Sequence, residues 1–406
     1  MKTYFLLAWR NLWRNKRRTL IASASIFFAV IFALLMRSMQ EGSYDYMVDA
    51  SVSMYTGYIQ VHAKDYWDKR SIDKSMELSQ TRIGKIDSVK HVTLVTPRLE
   101  SFSLISYGNV TKVASIVGID PGLENEMTDL KNKLISGKYL TKESRGLMIA
   151  EGLAELLKVG IGDSVVLYGQ GYHGVTAAAQ VEVEGIVKFT LPALNKTMVY
   201  LSLDYSQWLY AAPNRVTTLS IMIDEANKIN EVHLAVSNLF DEKYEVMMWP
   251  ELMPELVQSI EVDNAGGIIM LGILYVVIGF GIFGTVMMMT AERTKEFGIL
   301  ISVGMKKWRL SYVSFLESLF LSFIGVLAGI VVSIPILYYL KQNPIPLTGE
   351  MADAMLKFGL DPIVPFRFAA NIFIDQFLTV LVIAMISALY PLSYIRKLNP
   401  IKAMRK

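Results

Sequence analysis

The sequence predicts an α-helical membrane protein with four transmembrane helices and a large α+β extracytoplasmic domain inserted between helices 1 and 2. Two observations predict this class. Four apolar segments are each long enough to cross a bilayer, and basic residues cluster at one end of all four. Apolar residues make up 52% of the 406 residues and charged residues only 19%, so the apolar excess must be concentrated in particular segments.

The four apolar segments are the predicted transmembrane helices, because each provides the roughly 20 apolar residues that a helix needs to cross the hydrocarbon core. The first has no charge between Leu20 and Met36, and the third is interrupted only by Glu317. No cleavage site of small residues follows the first segment, so we interpret it as an anchor that is retained. The predicted spans are residues 19–40, 265–291, 309–341 and 372–394.

Lysine and arginine residues set the predicted orientation of the spans. They precede the first span, fill the connection between the second and third, and follow the fourth. With four spans these clusters share one side, which is the cytoplasm by the positive-inside rule. The other predicted parts are a basic amphipathic segment (1–18), an outside domain (41–264), a cytoplasmic segment (292–308), an outside loop (342–371) and a cytoplasmic tail (395–406).

The outside domain is predicted to be an α+β module in two parts. Two strand–helix–strand units near its ends favour a split, ferredoxin-like sheet from residues 41–97 and 204–250. The residues between them, 98–203, alternate in the manner of strands and predict an inserted β-rich part.

No pattern of a catalytic, nucleotide-binding or metal site is present in the sequence. It contains no GxxxxGK[ST] loop, and its GxGxxG at Gly169, Gly171 and Gly174 is followed by a strand, which favours a hairpin turn. Four scattered histidines and no cysteine give no ligand spacing for a metal. A net charge of +3 does not indicate a nucleic-acid partner. We therefore expect a non-catalytic subunit, with any nucleotide chemistry on a partner chain.

The segment at 292–308 is amphipathic. We predict that Gly298 and Gly304 divide it into two short helices, either lying among lipid headgroups or docking a cytoplasmic partner. Its apolar residues include Phe297, Ile299, Leu300 and Val303. Near it, Glu317 either pairs with a basic residue at the membrane surface or takes part in transport.

Four stretches of the chain resemble the FtsX-like, MacB-type permeases of ABC transporters. Residues 292–308, ERTKEFGILISVGMKKW, which we call the coupling segment, are similar to the pattern of the family's coupling segment, E-R-x-x-E-[IF]-G-[IT]-[LM]-x-x-[IV]-G. Residues 8–20 resemble the family's helix before span one, and residues 135–167 resemble the body of its periplasmic domain. Residues 390–405 are similar to its terminal P-[IV]-x-A-[IL]-R.

The resemblance implies a type VII, mechanotransmitting ABC transporter of the bacterial inner membrane, with both termini cytoplasmic and the large domain periplasmic. Two permease copies, or two homologous permeases, would clasp an ATPase dimer. That partner would bind ATP and magnesium, so the permease itself would need no cofactor. The ATPase-coupling residues that the resemblance implies are Glu292, Arg293, Glu296, Gly298, Ile299, Leu300 and Gly304.

Within the family, the lipoprotein-releasing LolC/LolE permeases are the nearest in role, which implies a lipoprotein or other amphiphile as cargo and a periplasmic carrier as a further candidate partner. The alternatives are a MacB-like efflux permease for drugs or peptides and an FtsX-like regulator of a periplasmic hydrolase. Lipoprotein release would place a lipid between the outer ends of the spans. The residues predicted to contact it are Leu34, Leu35, Met39, Ile268 and Leu271.

Overall fold

The computed structural model describes residues 2–14, 16–357 and 360–405, and these form two compact units. The first unit comprises Met1–Tyr46, Ser259–Pro346 and Ile363–Lys406. The second comprises Met47–Gln258 and Leu347–Pro362. The first unit contains most of the apolar helices, and the second contains the large domain that lies between the first two of them.

The described helices and strands are numbered here in chain order. The α-helices are α1 (Lys2–Arg14), α2 (Lys16–Ser51), α3 (Tyr66–Lys69), α4 (Gln80–Asp87), α5 (Pro121–Thr128), α6 (Glu151–Leu157), α7 (Pro192–Asn195), α8 (Leu203–Leu209), α9 (Ile229–Ser237), α10 (Trp249–Leu252), α11 (Pro254–Glu292), α12 (Thr294–Ser302), α13 (Lys307–Gln342), α14 (Glu350–Lys357), α15 (Ala370–Ser387), α16 (Leu389–Lys397) and α17 (Pro400–Arg405). The strands are β1 (Ile59–Ala63), β2 (Met76–Glu77), β3 (Val92–Tyr107), β4 (Val110–Ile119), β5 (Leu134–Gly137), β6 (Leu147–Ala150), β7 (Ser164–Gln170), β8 (Thr176–Val187), β9 (Met198–Ser202), β10 (Arg215–Val216), β11 (Thr218–Ile223), β12 (Tyr244–Met248), β13 (Ile345–Pro346) and β14 (Ile363–Val364).

Four helical stretches in the described residues are long and apolar enough to cross a membrane, as predicted: Thr19–Thr56, Pro254–Glu292, Lys307–Gln342 and Ala370–Lys397. The predicted fold class is thus confirmed, with the large domain between the first two. The 36 residues of α2 correspond to about 54 Å of helix, which exceeds the roughly 30 Å of the hydrocarbon core. This helix therefore extends beyond the predicted end of the first span at residue 40.

Small residues allow α13 to pack closely against α2. A Cβ added at Gly325 would lie 2.8 Å from the Cβ of Ile26, and one added at Gly329 would lie 3.0 Å from the Cβ of Val30. Glycines four residues apart lie on one face of a helix, and their lack of a side chain lets two backbones approach. The first unit is held together by this contact and by a core of aliphatic side chains from α2, α11, α13 and α15.

The large domain is built on a ten-stranded sheet with the order β12-β1-β11-β3-β4-β9-β6-β8-β5, in which β7 pairs with β3 and β8. Its first four strands have the order 4-1-3-2 of a ferredoxin-like unit, with α4 and α9 in the connections. The 16-residue strand β3 pairs with β11 in its first half and with β4 and β7 in its second. It crosses the predicted boundary at residues 97 and 98 without a break, so the inserted part extends the same sheet instead of forming a separate module.

The residues that follow α2 are fixed to the centre of this sheet. A π-helical turn, Val52–Thr56, continues from α2 and contains Tyr55, whose hydroxyl donates to Oε1 of Glu100 over 2.6 Å. The guanidinium of Arg98 donates to the backbone oxygen of Tyr55 and lies 4.7 Å from the centre of its ring. Both oxygens of Glu124 accept from Arg98 at 2.8 Å, and the Arg98 and Glu124 side chains are fully buried. The π-helical turn is thus bound to β3 through hydrogen bonds of Tyr55 with Arg98 and Glu100, and the bidentate ion pair with Glu124 on α5 holds Arg98 in place.

Candidate functional site

The coupling segment forms one helix and one tight turn. Helix α12 runs from Thr294 to Ser302 with Gly298 inside it, so the prediction that Gly298 divides the segment is wrong. Gly304 does end the helix, since it has a φ of +102°, which favours glycine, and its N–H donates to the oxygen of Ile301 over 3.1 Å. The chain then enters α13 at Lys307.

One face of α12 is packed against the last residues of the chain. The side chain of Phe297 is only 1% exposed and lies in a cluster with residues of α13, α16 and the segment that follows. A Cβ added at Gly298 would lie 3.0 Å from the Cβ of Ala403 in α17. The glycine is therefore a contact point between two helices, which explains why a residue without a side chain occurs in mid-helix. The buried partners of Phe297 are Leu310, Ile395, Leu398 and Ala403.

The opposite face of α12 carries large apolar side chains with little cover. Ile299 is 48% exposed and Leu300 40%, and Val303, directly after the helix, is 82% exposed. The sequence identified these three residues and Phe297 as apolar residues of the segment, and of the four the structure buries only Phe297. An amphipathic helix with one face fixed and one apolar face open has the form of a docking element.

A chain of charged and polar contacts joins α12 to α1 and α13. Arg293, just before α12, forms an ion pair through Nη1 with Oε2 of Glu317, whose Oε1 accepts from Nδ2 of Asn11 over 2.5 Å. Arg293 also reaches Oε2 of Glu296 with Nε at 3.3 Å. Glu296 in turn pairs with Nη2 of Arg14 at 2.6 Å. We call these five residues the coupling cluster.

The two ion pairs at the ends of the coupling cluster contribute differently to stability. Arg14 and Glu296 are about half exposed, so their ion pair stabilises the structure by only about 0–1 kcal/mol. The hydrogen bond from Arg14 lowers the pKa of Glu296, and Glu296 raises the pKa of Arg14. The Arg293–Glu317 pair has exposures of 12% and 5%, so that removing either partner is costly. The structure assigns Glu317 the first of its two predicted roles, a pairing with a basic residue.

Sequence reasoning did not find Asn11 or Arg14 as members of the cluster. The available signal was the buried position expected for Glu317, since a charge in an apolar helix needs a partner. That partner could not be identified because Asn11 and Glu317 are 306 residues apart in the chain. Among the remaining predicted coupling residues, Glu292 is exposed at the end of α11.

The residues predicted to contact cargo differ in their exposure. Met39 is 40% exposed and Ile268 is 57% exposed, and both lie on the surface of the first unit. Leu35 is half-buried, whereas Leu34 and Leu271 are buried in the helix packing. In this structure Met39 and Ile268 are therefore the two with the most open surface, and contact through Leu34 would require the helices to separate.

Polar contacts close the space between α2 and α11 near these two residues. Nη1 of Arg37 donates to Oδ1 of Asn264 over 3.2 Å, and the hydroxyl of Tyr44 donates to Oδ2 of Asp263 over 2.7 Å. A lipid at Met39 would thus lie outside the α2–α11 pair of one chain. In the described parts of the chain, no group of three or more histidine, aspartate or glutamate side chains could hold a metal ion.

Comparison with known proteins identifies both halves of this architecture. Residues 19–239 match the MacB-like periplasmic core domain, and residues 268–400 match the FtsX-like permease C-terminal family. An uncharacterised ABC transporter permease of Methanocaldococcus jannaschii is 21% identical over 98% of this chain and 96% of its own length.

This chain spans only part of the length of two further relatives. The probable export ATP-binding/permease protein MacB of Pseudomonas entomophila is 21% identical over 82% of this chain, which spans 51% of that protein. The lipoprotein-releasing system transmembrane protein LolC of Neisseria meningitidis is 22% identical over 60% of each chain. The crystal structure of the periplasmic region of MacB from Actinobacillus actinomycetemcomitans covers 52% of this chain and 94% of its own, at 16% identity and a TM-score of 0.36.

The coupling segment lies within the residues that match the FtsX-like family, and most of the large domain lies within those that match the periplasmic core domain. The chain therefore belongs to the MacB-type, FtsX-like family of ABC transporter permeases.

Proposed function

We propose that the chain is the permease subunit of a bacterial inner-membrane ABC transporter and couples ATP hydrolysis by a separate ATPase dimer to work by its periplasmic domain. The observation that carries this proposal is the open apolar surface formed by Ile299 and Leu300 of α12 and by Val303 directly after it, on a helix whose other face is fixed. In this topology α12 lies in the cytoplasm, beside the basic segments. A partner bound to α12 would displace this helix together with the elements that are packed against it.

The contacts of α12 support this transmission. Phe297 and Gly298 tie it to α17, while Arg293 ties its beginning to Glu317 in α13. Because Glu317 also accepts from Asn11, a push on α12 reaches α1 as well. Two spanning helices, α11 and α13, flank the segment directly, so its displacement would change their positions together.

For the cargo, we propose a lipoprotein or another amphiphile that is released from the outer leaflet. The relative LolC is named for lipoprotein release, and Met39 and Ile268 offer apolar surface at the end of the spans opposite α12. A MacB-like efflux function is the second candidate. It is favoured by the match of more than half the chain to the MacB-like periplasmic core domain.

The coupling proposal is tested by copurification of the ATPase with the full chain in mild detergent. The variant Ile299→Asp/Val303→Asp places two charges on the open face, where neither residue contributes to the core. We expect it to lose the ATPase and keep the wild-type melting temperature. Leu234→Asp is the matched control, because Leu234 is 64% exposed on α9 in the large domain. Retention of the ATPase by the double variant at the wild-type level would refute the docking role of α12.

The cargo proposal is tested with photocrosslinking amino acids in cells. We expect probes at Met39 and Ile268 to capture acylated proteins. Val331 is the control, because it is similarly open (63% exposed) but lies in the middle of α13, away from the proposed cargo site, and a probe there should capture none. Equal capture at all three positions would indicate general contact with membrane components and would contradict the proposed cargo site. A failure of this test leaves the ATPase result unaffected, so the two parts of the proposal can be separated.

A further inference from the structure

An open pocket lies between α16, α17 and the beginning of α12 in the first unit. Its volume is about 580 Å³. Lys397, the last residue of α16, and Lys402 of α17 both line it, and none of its described lining residues is acidic. The hydroxyls of Thr294 and Tyr394 lie 3.0 Å apart and contribute further polar atoms. Two lysines, several hydroxyls and no carboxylate suit an anion.

A second, apolar groove of about 530 Å³ lies between α11 and α15. Its floor is formed where α11 has no side chain, at Gly279, whose added Cβ would meet only Cγ2 of Ile383, at 3.5 Å. Aromatic and aliphatic side chains form the walls. The lining residues on α11 run from Tyr275 to Phe283, or about 12 Å of helix, which fits within the roughly 15 Å depth of one bilayer leaflet.

The groove and the pocket are adjacent. Phe283 lines the groove and Tyr390 lines the pocket, and their rings are in edge contact with centroids 5.3 Å apart. Along both α11 and the α15–α16 pair, the residue numbers rise from the groove to the pocket. The pocket is therefore at the end of the spans that carries the basic clusters, and the groove extends from it toward the middle of the spans.

We propose that this groove and pocket bind one anionic phospholipid of the cytoplasmic leaflet. Its acyl chain lies in the groove beside Gly279, and its phosphate lies between Lys397 and Lys402. Basic pockets at the cytoplasmic ends of transmembrane helices are suited to anionic headgroups. The attached groove favours a lipid over a free anion, because a free phosphate would use the two lysines but leave the apolar surface uncovered.

The site has a consequence for the coupling segment. Thr294 is the first residue of α12 and its side chain lies at the pocket, and Ala403, which also lines the pocket, is the residue against which Gly298 packs. A bound headgroup would therefore contact both sides of the α12–α17 contact. The lipid would therefore stabilise this contact.

The proposal is tested by native mass spectrometry of the full chain, purified in mild detergent and titrated with dioleoyl phosphatidylglycerol or dioleoyl phosphatidylcholine. We expect Lys397→Gln/Lys402→Gln to weaken binding of phosphatidylglycerol about 30-fold, equivalent to about 2 kcal/mol, and to weaken binding of phosphatidylcholine much less, because its choline cation offsets the phosphate charge. The control Lys306→Gln/Arg396→Gln removes two exposed cations outside the pocket and should bind both lipids as wild type does. Equal weakening by both double variants would overturn the site, since it would indicate only general attraction to basic residues.

A groove variant separates a lipid from other occupants. Gly279→Leu fills the apolar groove and leaves both lysines in place, so we expect it to weaken phosphatidylglycerol binding at least tenfold. If that variant binds as wild type does, and inorganic phosphate displaces phosphatidylglycerol, the site is a free-anion site and the lipid proposal is wrong. If phosphatidylglycerol binds wild type no better than phosphatidylcholine, the pocket has another occupant, such as an acidic surface of the partner ATPase, and the proposal is likewise overturned.

Discussion

Arg293 contacts two glutamates, and these provide a matched test of which contact fixes the coupling segment. Glu317 is buried, with a side-chain exposure of 5%, while Glu296 is 46% exposed. Glutamine at either position keeps the shape and removes the charge. Removing one partner of a buried pair costs about 3–5 kcal/mol, and an exposed pair contributes about 0–1 kcal/mol. Because Arg293 retains Glu296 at 3.3 Å, we expect Glu317→Gln to cost about 3 kcal/mol.

The assay is thermal unfolding of the full chain in mild detergent, followed by intrinsic tryptophan fluorescence. A unit of this size shifts its midpoint by about 2–4 °C per kcal/mol, so Glu317→Gln should lower it by about 6–12 °C and Glu296→Gln by less than about 4 °C. The double variant Arg293→Met/Glu317→Leu, which removes both charges, should be less destabilised than Glu317→Gln alone. Equal midpoints for the two single variants would refute the inference that the buried contact fixes the segment.

Three further predictions concern buried contacts. Glu124→Gln leaves the buried guanidinium of Arg98 without its carboxylate, and we expect a loss of about 3–5 kcal/mol in thermal unfolding, with Thr128→Val as a milder control. Gly298→Leu would force α12 away from Ala403, so ATPase copurification should fall while Gly304→Asn, outside this contact, retains more of it. Burial lowers the pKa of His62 to about 4, against about 6.5 when unfolded, so the unfolded state binds the extra proton between these values. Stability should therefore fall as the pH drops from about 6.5 to about 4, by at most about 3 kcal/mol, and His62→Gln should flatten that part of the pH profile.

The sequence was sufficient for the features that depend on local composition. The four spans follow from the length of uninterrupted apolar segments, and the exposure of Ile299, Leu300 and Val303 follows from the amphipathic pattern of the coupling segment. Each of these is set by residues within a few turns of one another.

The features that could not be predicted depend on residues far apart in the chain. Phe297 has the same apolar character as Ile299, yet it is buried because α17, about a hundred residues later, covers its side of the helix. Glycine often interrupts a helix, but Gly298 instead allows α12 to pack closely against Ala403. Likewise, the charge of Glu317 indicates that a partner exists without indicating which residue provides it.

An arginine with little exposure forms an ion pair with a glutamate at two places, one beside the start of α12 and one beside the turn that follows α2. Arg293 fixes the start of α12 to Glu317, and Arg98 on β3 pairs with Glu124 on α5 and donates to the backbone oxygen of Tyr55 in the π-helical turn after α2. Apolar contact alone tolerates small displacements, because dispersion and burial depend little on direction. A guanidinium that meets a carboxylate through directed hydrogen bonds loses much of its stabilisation when the partners shift. Motion that enters either helix end would therefore pass to the attached element instead of being absorbed at the contact, which is the property that the proposed coupling requires.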